Sequence, residues 1–419
     1  MVLAAGLLVD CSIQPFLAGL VSRSCTLSGT CLAACRASFH SHLRCSFGES
    51  TPIRARPALA PWPFNFKFEI LNYKSLGSPL VKLNQPAMST RQDAITFPAF
   101  VPRRYLRNRH AMTLAGNFLP RVNGLPEPEE ELFQVDEDAQ VLCHCHWQAE
   151  PERRGTAIIV HGLEGSSLSQ YVIGTGSKAW AAGMNVVRMN MRNCGGTEML
   201  APTLYHSGLS SDIGSVMRTL IEQKRLTRVG AVGYSMGGNL VLKMAGDWVA
   251  NAPAELKAVA AVSPAADLAA SADAMHEIDN RMYEWKFLVG LMRRYKRKRL
   301  LFPDRYKALD RWPRTIREFD DLVTAPAFDF EGAQDYYTRA SAARVVDRIT
   351  VPTLVINAQD DPFIRLLPAT RNKMNANSCI TLLETRHGGH CAFLAEPDGY
   401  DGRWAELQVM TFFRAHGLI

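Results

Sequence analysis

The chain has 419 residues, 47% of them hydrophobic and 21% charged, and carries a net charge of +7. That composition suits a globular fold with a sizeable core, and no run approaches the roughly eighteen apolar residues that a membrane-crossing helix needs. The mild positive charge comes with no nucleic-acid-binding motif, so nucleic acid is not an expected partner.

Residues 1–87 differ from the rest: they are rich in Ser, Cys, Arg and Pro, poor in acids, and without sustained periodicity. Met1 to Val9 is apolar but lacks a basic leader and is broken by Asp10, so it makes a poor signal peptide. The segment reads either as an organelle transit peptide or, preferably, as an upstream extension with Met88 as the true start; in both cases poor order is expected. Five of the ten cysteines lie here; the others, Cys143, Cys145, Cys194, Cys379 and Cys391, show no disulfide or zinc spacing and read as thiols of a cytoplasmic protein.

Residues 88–419 read as one domain. After an arm from Phe97 to Arg121, Glu131–Val135 and Ala139–Trp147 flank the turn Asp136-Glu137-Asp138 and predict an antiparallel hairpin. Within it, Cys143-His144-Cys145-His146 resembles a metal cluster. On a strand, however, the cysteines face one way and the histidines the other, so no metal site is expected.

Strands then alternate with helices. Ala157–Val160 is a short buried strand, Val172–Ala182 a helix, Asn185–Met189 a strand and Ser210–Gln223 a helix. Ala258–Val262, Thr353–Ile356 and Ile380–Leu383 are further strands, and Gly402–His416 a closing helix. This rhythm predicts an α/β fold with a mostly parallel central sheet and helices on both faces. Between Pro264 and Arg348, about eighty residues hold helical runs but no strand; a structureless loop of that length is improbable, so residues 265–347 are expected to form a helical cap.

Gly233-Tyr234-Ser235-Met236-Gly237-Gly238 carries the chemistry. A Gly-x-Ser-x-Gly pattern between a strand and a helix is a nucleophile elbow, which holds the serine hydroxyl out of the sheet. His161-Gly162-Leu163 directly follows a strand, where an oxyanion loop belongs; the Leu163 and Met236 backbone N–H groups are the expected donors. Asn357-Ala358-Gln359-Asp360-Asp361-Pro362 follows a later strand and supplies the acid. Asp361 is chosen for its offset from the strand, leaving Asp360 to cap the turn or contact the cap. His387-Gly388-Gly389-His390 follows the last strand; His390 is expected as the base and His387 as structural. The set predicts a serine hydrolase cleaving small-molecule carboxylic esters through an acyl-enzyme, without cofactor. Acyl transfer to an alcohol by the same triad, or a non-catalytic binding role on this fold, are the alternatives.

Two other features carry weaker signals. Arg293-Arg294-Tyr295-Lys296-Arg297-Lys298-Arg299 could meet an anionic membrane or a phosphate-bearing substrate, but a solvated helix face is the preferred reading. Asn193-Cys194-Gly195-Gly196-Thr197 lacks the ending of a phosphate loop and reads as a tight turn.

From about Phe97 onward the chain resembles the YheT-like α/β hydrolases, related to plant embryogenesis-associated proteins and animal ABHD1/ABHD3-type proteins. The resemblance rests on the His161-Gly162 loop, the elbow, Gly389-His390-Cys391-Ala392-Phe393, and a signature of Asp320, Asp335-Tyr336-Tyr337, Ser341, Ile349, Pro352 and Asp360-Asp361. It implies ester hydrolysis, with acylglycerols or phospholipids as candidate substrates, and agrees with Asp361 as the acid. The chain departs from the family at Asp329, where Gly or Asn is usual.

Overall fold

The computed structural model describes residues 95–419; the expectations for residues 1–87 lie outside that range. Helix α1 (Arg109–Phe118) precedes the hairpin β1 (Glu129–Asp136) and β2 (Ala139–His146). Next come β3 (Thr156–Val160), α2 (Gln170–Ala181), β4 (Asn185–Met189), α3 (Ser210–Lys224), β5 (Val229–Tyr234), α4 (Met236–Trp248) and β6 (Leu256–Val262). The chain is then helical, through α5 (Leu268–Met275) and α6 (Arg281–Leu301). The short turns α7 (Ile316–Phe319) and α8 (Ala325–Ala327) flank a π-helical turn at Asp320–Thr324, and α9 (Ala333–Ala340) follows. Strand β7 (Thr353–Ala358), α10 (Pro368–Ala376), β8 (Ile380–Thr385) and α11 (Trp404–Ala415) complete the fold.

The eight strands among the described residues form one sheet in the order β1-β2-β4-β3-β5-β6-β7-β8. Pairing is antiparallel from β1 through β2 to β4 and parallel from β4 to β8. Strands β3, β5 and β7 are buried at every residue, which is why they read as continuous apolar runs rather than alternating ones. One core layer lies beneath α3 and α4, and a second beneath α2 and α11. In β2 the alternation survives: Cys143 and Cys145 are sealed in the core. On the other face His144 meets Glu130 and Ser167, and His146 accepts from Arg188.

Part of the arm expected at residues 97–121 is helix α1, capped by Asn108, whose side chain accepts from the His110 and Ala111 N–H groups. The basic run also departs from a solvated face. Arg293, Lys296 and Arg297 are exposed, but Arg294 and Lys298 are buried. Lys298 Nζ donates to the carbonyls of Glu198 and Ala201 and lies 4.2 Å from the Phe302 ring centroid; burial lowers its pKa to about 8. Asp329 adopts φ 54°, a left-handed conformation that Gly or Asn also tolerates and that Asp reaches more easily than most residues.

Candidate active site

Ser235 sits between the end of β5 and the start of α4 with φ 54° and ψ −116°. Its backbone is tied on both sides: the N–H donates to Val262 O at 3.0 Å, and the carbonyl accepts from Asn239 at 3.1 Å and Ala265 at 3.2 Å. The turn requires glycine on either side. A Cβ on Gly233 would run into the Gly237 carbonyl, and one on Gly237 into the carbonyls of Val160 and His161. These are backbone atoms that cannot move aside. The helix start beneath Ser235 adds a partial positive charge where an oxyanion would form.

The loop after β3 packs against this turn. Burial lowers the His161 pKa to about 4, so its imidazole is neutral. Its Nε2 accepts from Met191 N–H at 3.1 Å, which leaves Nδ1–H to donate to Gly162 O at 2.8 Å. Tyr171 Oη accepts from Gly162 N–H at 2.9 Å. These bonds fix the backbone on both sides of Gly162, next to Leu163. Among the described residues neither the Leu163 nor the Met236 N–H has an acceptor, so both are available to a bound oxygen. Glu164, the next residue, accepts from Tyr205 Oη–H at 2.7 Å and from Arg294 Nε–H at 3.1 Å. Arg294 lies on α6, so the loop after β3 is held by this helix.

Asp361 is buried in the turn after β7. Its Oδ1 accepts from the Phe363 and Ile364 N–H groups at 3.1 and 2.9 Å, and its Oδ2 lies 2.8 Å from His390 Nδ1. The His390 ring packs on Phe363 with centroids 4.2 Å apart. Burial alone would lower the His390 pKa, but the Asp361 charge, with Cys391 and the hydrogen bonds, more than reverses this and raises it above the ordinary 6.5. Asp360 faces His387 Nδ1 at 3.2 Å and accepts from Gly389 N–H at 3.0 Å, bracing the loop that carries His390.

A further support comes from α1, which the sequence reading passed over. Thr113 Oγ1 donates to Arg109 O at 2.7 Å and accepts from His390 N–H at 2.9 Å. The Asn108 cap was the signal available for this helix; nothing local marked Thr113.

Ser235 Oγ makes no hydrogen bond among the described residues, and His390 Nε2 faces Cys391 Sγ at 3.6 Å. Catalytic hydrogen bonds are often long or unmade in the absence of substrate. Ser235, Leu163 and Met236 open together onto an apolar cavity of about 940 Å³, counting its open mouth, roofed by Phe287 and Leu291 of α6 and by Ile316 and Phe319 of α7. Cys194 is buried and its thiol is pushed up to about 12, so it is not a ready nucleophile.

Residues 157–397 match the family model described as alpha/beta hydrolase fold. YheT of Escherichia coli (strain K12), whose name marks it provisionally as an esterase, is 30% identical over 77% of this chain and 96% of its own. The mouse protein named phospholipase ABHD3 is 29% identical over 58% of this chain and 59% of its own. The Saccharomyces cerevisiae protein named monoacylglycerol lipase is 27% identical over 61% of this chain and 58% of its own.

Proposed function

The chain belongs to the α/β hydrolase family, in the YheT-like group with the ABHD3-type proteins, and from that premise we propose that it is a carboxylic ester hydrolase acting through Ser235, His390 and Asp361. The observation that carries the reading is the 2.8 Å pairing of His390 Nδ1 with Asp361, in a loop whose next residue, Cys391, donates its N–H to Ser263 Oγ just after the Val262 carbonyl that holds Ser235. Asp361, itself fixed by two backbone N–H groups, keeps the proton on Nδ1 and leaves Nε2 unprotonated, as a base requires.

In the first half-reaction Ser235 Oγ attacks the ester carbonyl carbon while Nε2 takes its proton. The carbonyl oxygen becomes an oxyanion, stabilised by the Leu163 and Met236 N–H groups. Collapse of this intermediate breaks the bond to the alcohol oxygen, which takes the proton from His390 and leaves. Water then attacks the acyl-enzyme with His390 again as base. The acid departs and Ser235 recovers its proton.

The cavity's apolar walls suit an acyl chain, and relatives named for monoacylglycerol and phospholipid cleavage support fatty acyl esters of polar alcohols as the substrates. The test is a nitrophenyl ester series from acetate to palmitate on wild type and Ser235→Ala. Turnover that rises as the acyl chain fills the cavity and falls to background in the variant is expected. Equal rates in the two proteins, or no turnover of any ester, would overturn the reading.

A further inference from the structure

Helix α6 has two unlike faces. The inner face places Phe287, Leu291 and Arg294 on the cavity wall. The outer face is a stripe at helical spacing, Met282, Trp285, Val289, Arg293, Lys296 and Leu300, with Lys286 and Arg297 along its margin. Met282, Trp285 and Leu300 are 65%, 64% and 75% exposed and lie on one side of the helix. Across Arg281–Leu301 the helix carries eight Lys or Arg residues and one acid, Glu284, which is buried. Arg297 is paired with Glu198 at 2.9 Å, whereas Lys286, Arg293 and Lys296 have no hydrogen-bond or ion-pair partner among the described residues.

We propose that the outer face of α6 docks on an anionic lipid surface, with Trp285, Met282 and Leu300 entering the headgroup region and Lys286, Arg293 and Lys296 meeting the lipid phosphates. Apolar residues interleaved with unpaired cations, and no exposed acid, complement such a surface in both charge and polarity. Trp favours the interfacial depth, and the long basic side chains can lie along it while keeping their charges at the phosphates. The helix lies on the membrane rather than crossing it: no helix among the described residues is long and apolar enough to span one. The same helix then forms the cavity wall on one side and the lipid contact on the other, which brings the proposed acyl site next to a store of acyl esters. The docking gains its purpose from the ester-hydrolase reading, but it can be tested without turnover.

The binding assay uses full-length Ser235→Ala protein, so that vesicles stay intact, in co-sedimentation with phosphatidylcholine vesicles and with vesicles also containing phosphatidylglycerol. Partition onto the anionic vesicles at least about tenfold above the neutral ones, weakening as salt is raised, is expected. The triple change Lys286→Glu, Arg293→Glu, Lys296→Glu should remove that preference and Trp285→Ala should reduce it. With Ser235 intact, both variants should hydrolyse a soluble short-chain ester within about twofold of wild type, as the changed side chains point away from the cavity. Equal partition onto both vesicle types, or unchanged binding by the triple variant, would overturn the proposal. So would a concentration-dependent dimer, seen in sedimentation velocity and lost in the triple variant, if vesicles are not bound, since the face would then be covered by a second copy. Vesicle binding without hydrolysis of any ester by the Ser235-intact protein would leave the docking intact and overturn the enzymatic reading instead.

Discussion

Arg294, from the helix above the cavity, donates its Nε–H to Glu164 at 3.1 Å, and Glu164 directly follows Leu163. Its guanidinium also reaches the Asn193 carbonyl and lies 5.3 Å from the Tyr205 ring centroid, while Tyr205 donates to the same carboxylate. One cation thus joins α6, the loop after β4 and the loop after β3.

Glu164→Gln should therefore lower kcat more than it changes KM, because the Leu163 N–H loses its fixed direction. Complete loss of an oxyanion donor costs roughly two to three orders of magnitude, so a partly loosened one should cost about tenfold. A steady-state comparison on one soluble ester reads this directly. A fall in melting temperature with kcat unchanged would mark the pair as purely structural.

In the proposed mechanism His390 must be neutral to accept the Ser235 proton. The Asp361 charge raises the His390 pKa against the effect of burial, so the acidic limb of the kcat/KM profile should lie above the ordinary histidine value of 6.5. In Asp361→Asn the largest raising influence is gone and burial remains. The limb should then move to lower pH while the rate falls by about two to four orders of magnitude from loss of the imidazole's orientation. A limb that stays in place would separate Asp361 from the base.

Ser235 holds a left-handed φ of 54° that costs of the order of 1–3 kcal/mol for a residue with a Cβ. Ser235→Gly should relieve part of that strain and raise the melting temperature by a few degrees while abolishing turnover. Ser235→Ala keeps the Cβ and should abolish turnover without the gain. Equal melting temperatures for the two variants would deny the strain.

Asp320, on the cavity wall, accepts from Thr324 Oγ1 and Tyr337 Oη, each at 2.6 Å. Burial raises its pKa to about 6 against these two bonds, which pull it down. Tyr337→Phe removes one donor and should cost about 1–3 kcal/mol of stability. The lost bond served the charged form, so the folded-state pKa should rise further from the unfolded value near 3.8. The native state then binds more protons than the unfolded state between those values, and stability declines as pH rises across that window. The variant's deficit should accordingly be larger near pH 8 than near pH 5. Denaturant melts at both values check the sign.

Much of this architecture was legible because the physics is local. A parallel strand buried on both faces needs an unbroken apolar run, as in Ala157–Val160, and the elbow needs glycine where backbones touch. What escaped depends on distant partners. Helix α1 buries only Met112, and Thr113 matters through a histidine far along the chain. Arg294 and Lys298 sit in a run that local sequence marks as solvent-facing. They are buried because Glu164, Asn193, Glu198 and Ala201, remote in sequence, supply their acceptors. Neighbouring Asp360 and Asp361 differ in partner only once the turn is folded, one facing His387 and the other His390.

The most direct measurement of the central claim is covalent labelling with a fluorophosphonate, followed by peptide mass spectrometry. The account predicts a single adduct on Ser235, absent from Ser235→Ala and formed far more slowly in a variant whose His390 is replaced by Ala. An adduct on another serine of the cavity wall, such as Ser207 or Ser271, or labelling that persists in Ser235→Ala, would contradict it.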